Sequence, residues 1–569
     1  MTSAMVPFSW RLGALLAALV VLAMAGTADA ATPPATHIAQ VRPGVSLSEA
    51  EALVRRSGGK VTGRVSVIHG LAVQLPAGAV APLARAAELK ALTPNGAAAP
   101  RSVRGLVDGD LETLGTDPDA DLGPTAPTDL VEQVAPAPAP QDGLAALEAG
   151  AGAVAELALD IGLLATSYPA SVRAPDAWLS ATGRGVGVAV IDTGIDGALE
   201  DFRDANGGPR VVASVTTNPG ATTARDTYGH GTHIAGIIAG HRRTGELAGR
   251  YTGIAPEASL ISVKVDDDEG VATILDVIYG LQFVVDHREQ YGIRVVNLSL
   301  ESASPESYRT DPLDAAVEAA HFAGILVVAA AGNRGDAADA AHYAPGNDPF
   351  ALTVGAVDDQ GTDYRLDDAY TEWSSFGLTQ DGYSKPDIAA PGAHIVSTLA
   401  EDSEFASLCP TCIIDGDYIR AGGTSMAAPV VAGVAALMFE RHPSWTPDDV
   451  KRTLIQTARD VDGVIDEVNA ARALEQDTPA PVSTGQIDRN ELIDPVTGQI
   501  DYTRSHWSRS HWSAESGDDS AAGWTRSHWS CTCPTSMDAP EGEGEVDPTR
   551  SHWSRSHWSR SHWSTKWTY

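Results

Sequence analysis

Between about residues 167 and 476 the chain alternates short apolar runs with helical patterns, and this alternation limits the fold more than any other feature. Strand candidates are 186–191, 259–265, 294–300, 325–330 and 351–357. Helical candidates lie between and after them, at 232–239, 272–288, 312–323, 426–441 and 447–459. Such an order predicts an α/β unit, a parallel sheet with helices on both faces.

Four motifs sit at the junctions of these segments. Residues 189–197 read AVIDTGIDG, an apolar strand ending in Asp192 and a Gly-containing turn. Residues 228–236 read YGHGTHIAG, with His230 between glycines at a helix start. Residues 422–433 read GGTSMAAPVVAG, with Ser425 opening an apolar helix, and 328–335 read VAAAGNRG, a strand leaving into a loop with Asn333. Polar groups at strand ends and helix starts are where open α/β sheets carry function. A serine hydroxyl becomes a useful nucleophile when a base takes its proton. His230 is such a base near neutrality, and Asp192 can fix its tautomer and stabilise the imidazolium. The helix start behind Ser425 and the Asn333 amide supply donors where an oxyanion develops. Asp196 reads as a turn residue and Asn297 as a buried hydrogen-bonder. His-x-x-His at 230–233 lacks the Glu of a zinc-protease helix, so His233 reads as structural.

IDTGID, GHGTHIAG, GTSMAAP and AAAGN together resemble the subtilisin-like serine protease family (peptidase family S8) over about residues 167–476. The order Asp, His, Ser is that family's. The resemblance implies a mostly parallel seven-stranded sheet and endopeptidase action on proteins or peptides through an acyl-enzyme. It assigns Asp192, His230 and Ser425 as the triad and Asn333 as oxyanion donor. Residues 296–300 (VNLSL) are similar to the strand that pairs with substrate. Ser299, Leu300, Ala330, Ala331 and Gly332 would then line the first specificity pocket. KPDIAAPG at 385–392 and Asn469-Ala470 also resemble family segments. Two places depart from the pattern. Glu301-Ser302 stand where relatives carry glycines. The stretch after the His motif, 241–246 (HRRTGE), is basic where relatives have an Asn-rich calcium loop, and basic groups suit a hard cation poorly. No cofactor is expected for the chemistry, and calcium elsewhere in the chain stays open. The acidic run Asp266-Asp267-Asp268-Glu269 falls near the substrate-binding edge and suggests a taste for basic residues upstream of the cut.

The flanks complete a five-part reading. Arg11, an apolar run at 12–24 and Ala28-Asp29-Ala30 read as a signal peptide, 1–30, and a secreted protein; a retained anchor is the alternative. Residues 36–96 show strand, helix, strand, strand, helix, strand at 37–41, 46–56, 60–67, 70–75, 80–89 and 90–93. That is the order of a ferredoxin-like split βαβ fold. By the resemblance they look like the family's inhibitor-I9-like pro-domain, an intramolecular inhibitor of a self-processing precursor. Residues 97–166 are an Ala/Pro/acidic linker with a helical stretch at 144–164, and 167–476 are the catalytic unit. Residues 477–569 form a linker and tail with six Arg-Ser-His-Trp-Ser repeats and eight of the twelve tryptophans. A five-residue period fits neither helix nor strand, so the tail reads as disordered; cell wall, glycan or metal are the ligands its residues could contact, with cell-surface retention as a consequence. Four cysteines allow three pairings; a structural loop disulfide at Cys409 and Cys412 is preferred, with redox and zinc roles the alternatives. The net charge of −35, from 74 acidic and 39 basic residues, excludes a nucleic-acid partner.

Overall fold

The strands of the predicted parallel sheet are apolar on both sides, and the computed structural model gives each side a helical layer. It describes residues 35–42, 45–100, 131–132, 163–482 and 490. The leader, most of the linker with its 144–164 stretch, the repeats, Cys531 and Cys533 lie outside the described residues.

Seven strands form the centre: β6 (Gly187–Asp192), β7 (Val211–Thr216), β8 (Ser259–Lys264), β10 (Ile293–Leu298), β12 (Leu326–Ala330), β13 (Leu352–Asp358) and β14 (Ile388–Pro391). All neighbours are parallel, in the spatial order β14-β13-β12-β10-β6-β8-β7. Short edge pairs widen the sheet to eleven strands. Chain order reverses between β6 and β10, so the crevice of this sheet opens beyond their carboxyl ends.

Alternate residues of each strand go to opposite layers. Val188 and Val190 of β6 pack with Val295, Val328 and Val354 against α3 (His230–Ala239) and α6 (Thr424–Arg441). Ala189 and Ile191 pack with Val296, Leu298 and Val327 against α4 (Ile274–Tyr291) and α5 (Pro312–Phe322). At about 25 cal/mol per Å² of apolar surface, two such layers are the main source of stability. The helix predicted at 272–288 starts two residues later because Ala272–Thr273 forms a short strand, β9, and Thr273 caps α4 with Asp276 in a reciprocal box.

The small unit is βαββαβ: β1 (Ala35–Val41), α1 (Leu47–Arg56), β2 (Lys60–Val65), β3 (Gly70–Leu75), α2 (Ala77–Ala84) and β4 (Leu89–Pro94), with antiparallel order β2-β3-β1-β4. The helix expected at 80–89 lies earlier, starting directly after Pro76, and Leu89 belongs to β4. One face of this sheet (Ala39, Leu71, Val73) packs on α1 and α2. The other (Ile38, Val65, Ala72) joins the layer formed by α4 and α5, so neither face is left to solvent. The residues after β4 do not leave as a linker. Ala97–Pro100, β5, runs antiparallel between β9 and β11 (Leu300–Ser302). At the other end, Ala480 bonds to Thr453 and Asn490 to Glu318 and Tyr308, so the first part of the expected tail is tied to the α/β unit. No helix among the described residues is long and apolar enough to cross a membrane.

Burial pushes Asp276 up to about 7, against the lowering effect of its Thr273 hydrogen bonds and aided by Asp267. The folded chain therefore holds a proton there that the unfolded chain, with an ordinary carboxylate near 4, has released. That contribution is full below about pH 4 and is lost as pH rises through about 7. In a Ser425→Ala background, which removes self-digestion, Asp276→Asn should flatten the fall in melting temperature between about pH 5 and about pH 8. Thermal melts across that range check it; parallel curves for the two proteins would refute it.

Candidate active site

Parallel pairing at the crevice fixes the two anchors of the site. Leu298 of β10 stands opposite Ile191 of β6, so the next residues, Ser299 and Asp192, leave neighbouring strands at the same edge. Strands lie about 4.8 Å apart, which brings whatever these residues hold within reach.

Asp192 holds the histidine. Its Oδ1 accepts the His230 Nδ1 bond at 2.6 Å and also the Thr193 N–H at 2.8 Å. Both side chains are almost wholly buried. With Nδ1 on the carboxylate, Nε2 is the nitrogen available as base, and it accepts no hydrogen bond among the described residues. His230 opens α3 because Gly229 before it sits at φ 107°, a conformation that favours glycine, and a Cβ there would press on Ser403 and Phe405.

Ser299 holds the serine. Its Oγ donates to the Ser425 carbonyl at 2.8 Å, and the Ser425 Oγ donates to the Ser299 carbonyl at 3.2 Å. Asn297 donates to Ser299 Oγ at 2.9 Å, fully buried, which is the hydrogen-bonding place read for it in sequence. In this conformation the Ser425 hydroxyl faces Ser299, and its bond to His230 is the one link of the trio left open. Such links are often long before substrate binds.

Asn333 stands at the mouth of the same edge. Its Oδ1 accepts from Thr424 N at 2.9 Å and Thr424 Oγ1 at 3.1 Å, and Thr424 Oγ1 also receives the Gly332 N–H. That fixes the carboxamide with its oxygen toward α6, so its Nδ2 is the end turned to donate. A hollow beside Ser425 is lined by Ser299, Leu300, Ala330 and Gly332, with Glu301 and Thr424. Ala331, expected in that lining, instead donates its N–H to Val354.

Other candidates find plainer places. His233 bonds Ile419 O, and burial, with the His230 ring beside it, drives it down to about 3. Asp196 is a turn residue paired with Arg225. Within the acidic run, Asp267 closes its own turn through Glu269 and Val271, and Asp268 binds Lys264 and Thr222. In the basic loop, Arg242 pairs with Asp201 and Asp417, and Arg243 with Glu257, so guanidinium groups stand where a hard cation would need oxygens. Cys409 and Cys412 are joined as a disulfide.

Sequence reasoning missed two supports. Asp226, buried and held upward by that burial, accepts from Thr193 Oγ1, Gly229 N, Thr232 N and Thr232 Oγ1. It ties the strand end at Asp192 to the helix start at His230, and its only signal is an Asp shortly before a Gly-His. Phe405 sets its ring edge-on to His230 with centroids 5.9 Å apart; it comes from a short helix, Glu404–Leu408, about 175 residues away, without a motif.

Comparison with known proteins agrees with this geometry. The subtilase family model matches residues 183–480, more than half of the chain. Serine protease AprX of Bacillus subtilis (strain 168) is 38% identical over 278 residues, 48% of this chain and 61% of that protein. M-protease of Shouchella clausii (strain KSM-K16) is 36% identical over 52% of this chain and 67% of its own length. Subtilisin BL of Lederbergia lenta is 36% identical over 49% of this chain and 84% of its own. The chain thus spans under two thirds of AprX and most of the shorter subtilisin.

Asp226→Ala should leave buried N–H and hydroxyl donors unanswered, at a cost of about 3 kcal/mol. Urea unfolding in the Ser425→Ala background measures it, and an unchanged midpoint would refute the positioning role.

Proposed function

This chain belongs to the subtilase family, and we propose on that premise that it is a secreted, self-processing serine endopeptidase. The observation that carries the reading is the joined edge of β6 and β10, with His230 on Asp192 and Ser425 on Ser299. Substrate seating turns the Ser425 hydroxyl from the Ser299 carbonyl to His230 Nε2. The oxygen attacks the scissile carbonyl carbon while His230 takes the proton. The resulting oxyanion accepts from Asn333 Nδ2 and the Ser425 N–H at the α6 start. The C–N bond then breaks, His230 returns the proton to the leaving amine, and the acyl group stays on Ser425. Water enters by the reverse path and releases the acid. Asp192 keeps Nδ1 paired throughout. Side chains, the Ser425 backbone N–H and water supply every group in this path, so no cofactor is invoked.

Self-processing has its own support. β5 lies between β9 and β11 as an added antiparallel strand, the way an extended peptide docks on a sheet edge. Gly96 O accepts from Ile274 N, and Asn95 accepts from Leu275 N, so the connection out of the small unit is clamped at the start of α4. The unit thus serves as intramolecular inhibitor, and the cut falls beyond Pro100. Export rests on the leader read in residues 1–30, and surface retention on the Arg-Ser-His-Trp-Ser repeats.

Wild type and Ser425→Ala, expressed side by side, should differ in intact mass and casein hydrolysis. Wild type sheds its N-terminal region and digests casein; the variant stays whole and inert. Equal behaviour of the two would overturn the reading. Asn333→Ala should lower kcat about a hundred- to a thousandfold, a range that comes from a subtilisin and not from this chain. A loss under about threefold in steady-state kinetics would remove Asn333 from the oxyanion role.

A further inference from the structure

Resting on the endopeptidase reading, we propose that Glu301 makes the primary pocket selective for a basic side chain directly upstream of the cut. The strand already seated in the cleft supplies the register. Ala98 of β5 stands opposite Ser302, Ala99 opposite Glu301 and Pro100 opposite Leu300. A substrate held this way brings its next residue opposite Ser299, the residue bonded to Ser425. That residue carries the attacked carbonyl, and its side chain enters the hollow beside Ser425.

One wall of that hollow is a carboxylate. Glu301 is 5% exposed. Its Oε1 accepts from Arg334 Nε at 3.0 Å. Its Oε2 lies against Gly332, where a Cβ would strike it; Gly332, at φ 94°, lines the same hollow. Arg334, ion-paired to Oε1, lays its guanidinium over the Tyr343 ring, its carbon 3.5 Å from the centroid. A carboxylate accepts several donors at once. An incoming guanidinium or ammonium adds a charge-assisted hydrogen bond in a site shielded from water. An apolar side chain would add no hydrogen bond to that carboxylate, and an acidic one would be repelled. The chain's own sequence supplies a second observation: the residue after Pro100 is Arg101. In sequence, a basic residue thus follows directly on the strand seated in the cleft.

The test uses fluorogenic peptides with Ala-Ala-Pro followed by Arg, Lys, Phe, Leu, Ala or Glu, read as kcat/KM beside casein hydrolysis. Arg and Lys should exceed Phe and Ala by about tenfold or more, the scale on which a buried polar partner discriminates. Glu301→Gln should collapse the Arg-to-Phe ratio, and Arg334→Gln, which removes the competing cation, should raise it. Wild-type preference for Phe, Leu or Ala, or a ratio that neither substitution moves, overturns the proposal. If Glu301→Gln fails to fold, the wild-type profile and Arg334→Gln still decide. Casein hydrolysis without a basic preference defeats this proposal alone. Failure on casein and on every peptide defeats the endopeptidase reading and this proposal with it.

Discussion

Parallel pairing of β6 with β10 is the constraint on which the rest of the cleft hangs. The two strands lie at the centre of the sheet, buried from both sides, with Leu298 in register with Ile191. A slip of one residue would turn Ile191 and Leu298 from one layer to the other, so the apolar pattern holds the register firmly. It also places Asp192 and Ser299 side by side, and through them the imidazole and the serine. Precision at the site is thus inherited from the core, where two helical layers oppose any sliding of the strands.

Around these anchors the polar groups are deeply buried and tied to one another. Asp226 answers four donors from Thr193, Gly229 and Thr232, and Asn297 passes through Ser299 to the Ser425 carbonyl. Each group lost water on folding, and each would destabilise the fold if its partner were removed. Such networks hold one arrangement and resist others, which suits an imidazole that must keep a single tautomer. The Ser425 hydroxyl is turned to the Ser299 carbonyl, while His230 Nε2 accepts no hydrogen bond among the described residues.

The small N-terminal unit depends on the α/β unit for half of its burial. Ile38, Val65 and Ala72 have no helix of their own to cover them and share the layer of α4 and α5. A sheet of this size with one bare apolar face would be marginal alone. Docking also seats β5 between β9 and β11, so one interface covers the small unit and pairs those two strands. The acidic residues near that edge divide into Asp267, used within its own turn, Asp268, bound to Lys264 and Thr222, and Glu301, set into the wall of the hollow.

Local chemistry was enough to read much of this molecule. Gly-flanked polar residues at the ends of apolar runs marked Asp192, His230, Ser425 and Asn333, because a strand end followed by a turn is visible in composition and spacing. The alternation of apolar runs with helical patterns marked the parallel sheet, and a Ser and Glu in capping register marked α1. What sequence left undecided involves residues far apart in the chain. Phe405 against His230 and Glu301 against Gly332 and Arg334 are contacts between segments distant in sequence, and no local period encodes them. Asp266 to Glu269 read as one acidic edge, yet folding gave Asp267 and Asp268 different partners and buried Asp266. The route of residues 97–100 was read as linker because three alanines and a proline carry little pattern; they form a strand only because β9 and β11 offer backbone donors and acceptors on either side. Short-range spacing in the sequence marked which polar groups stand at strand ends and helix starts, while tertiary structure decided which of them meet, through the register of buried strands and the packing laid over them.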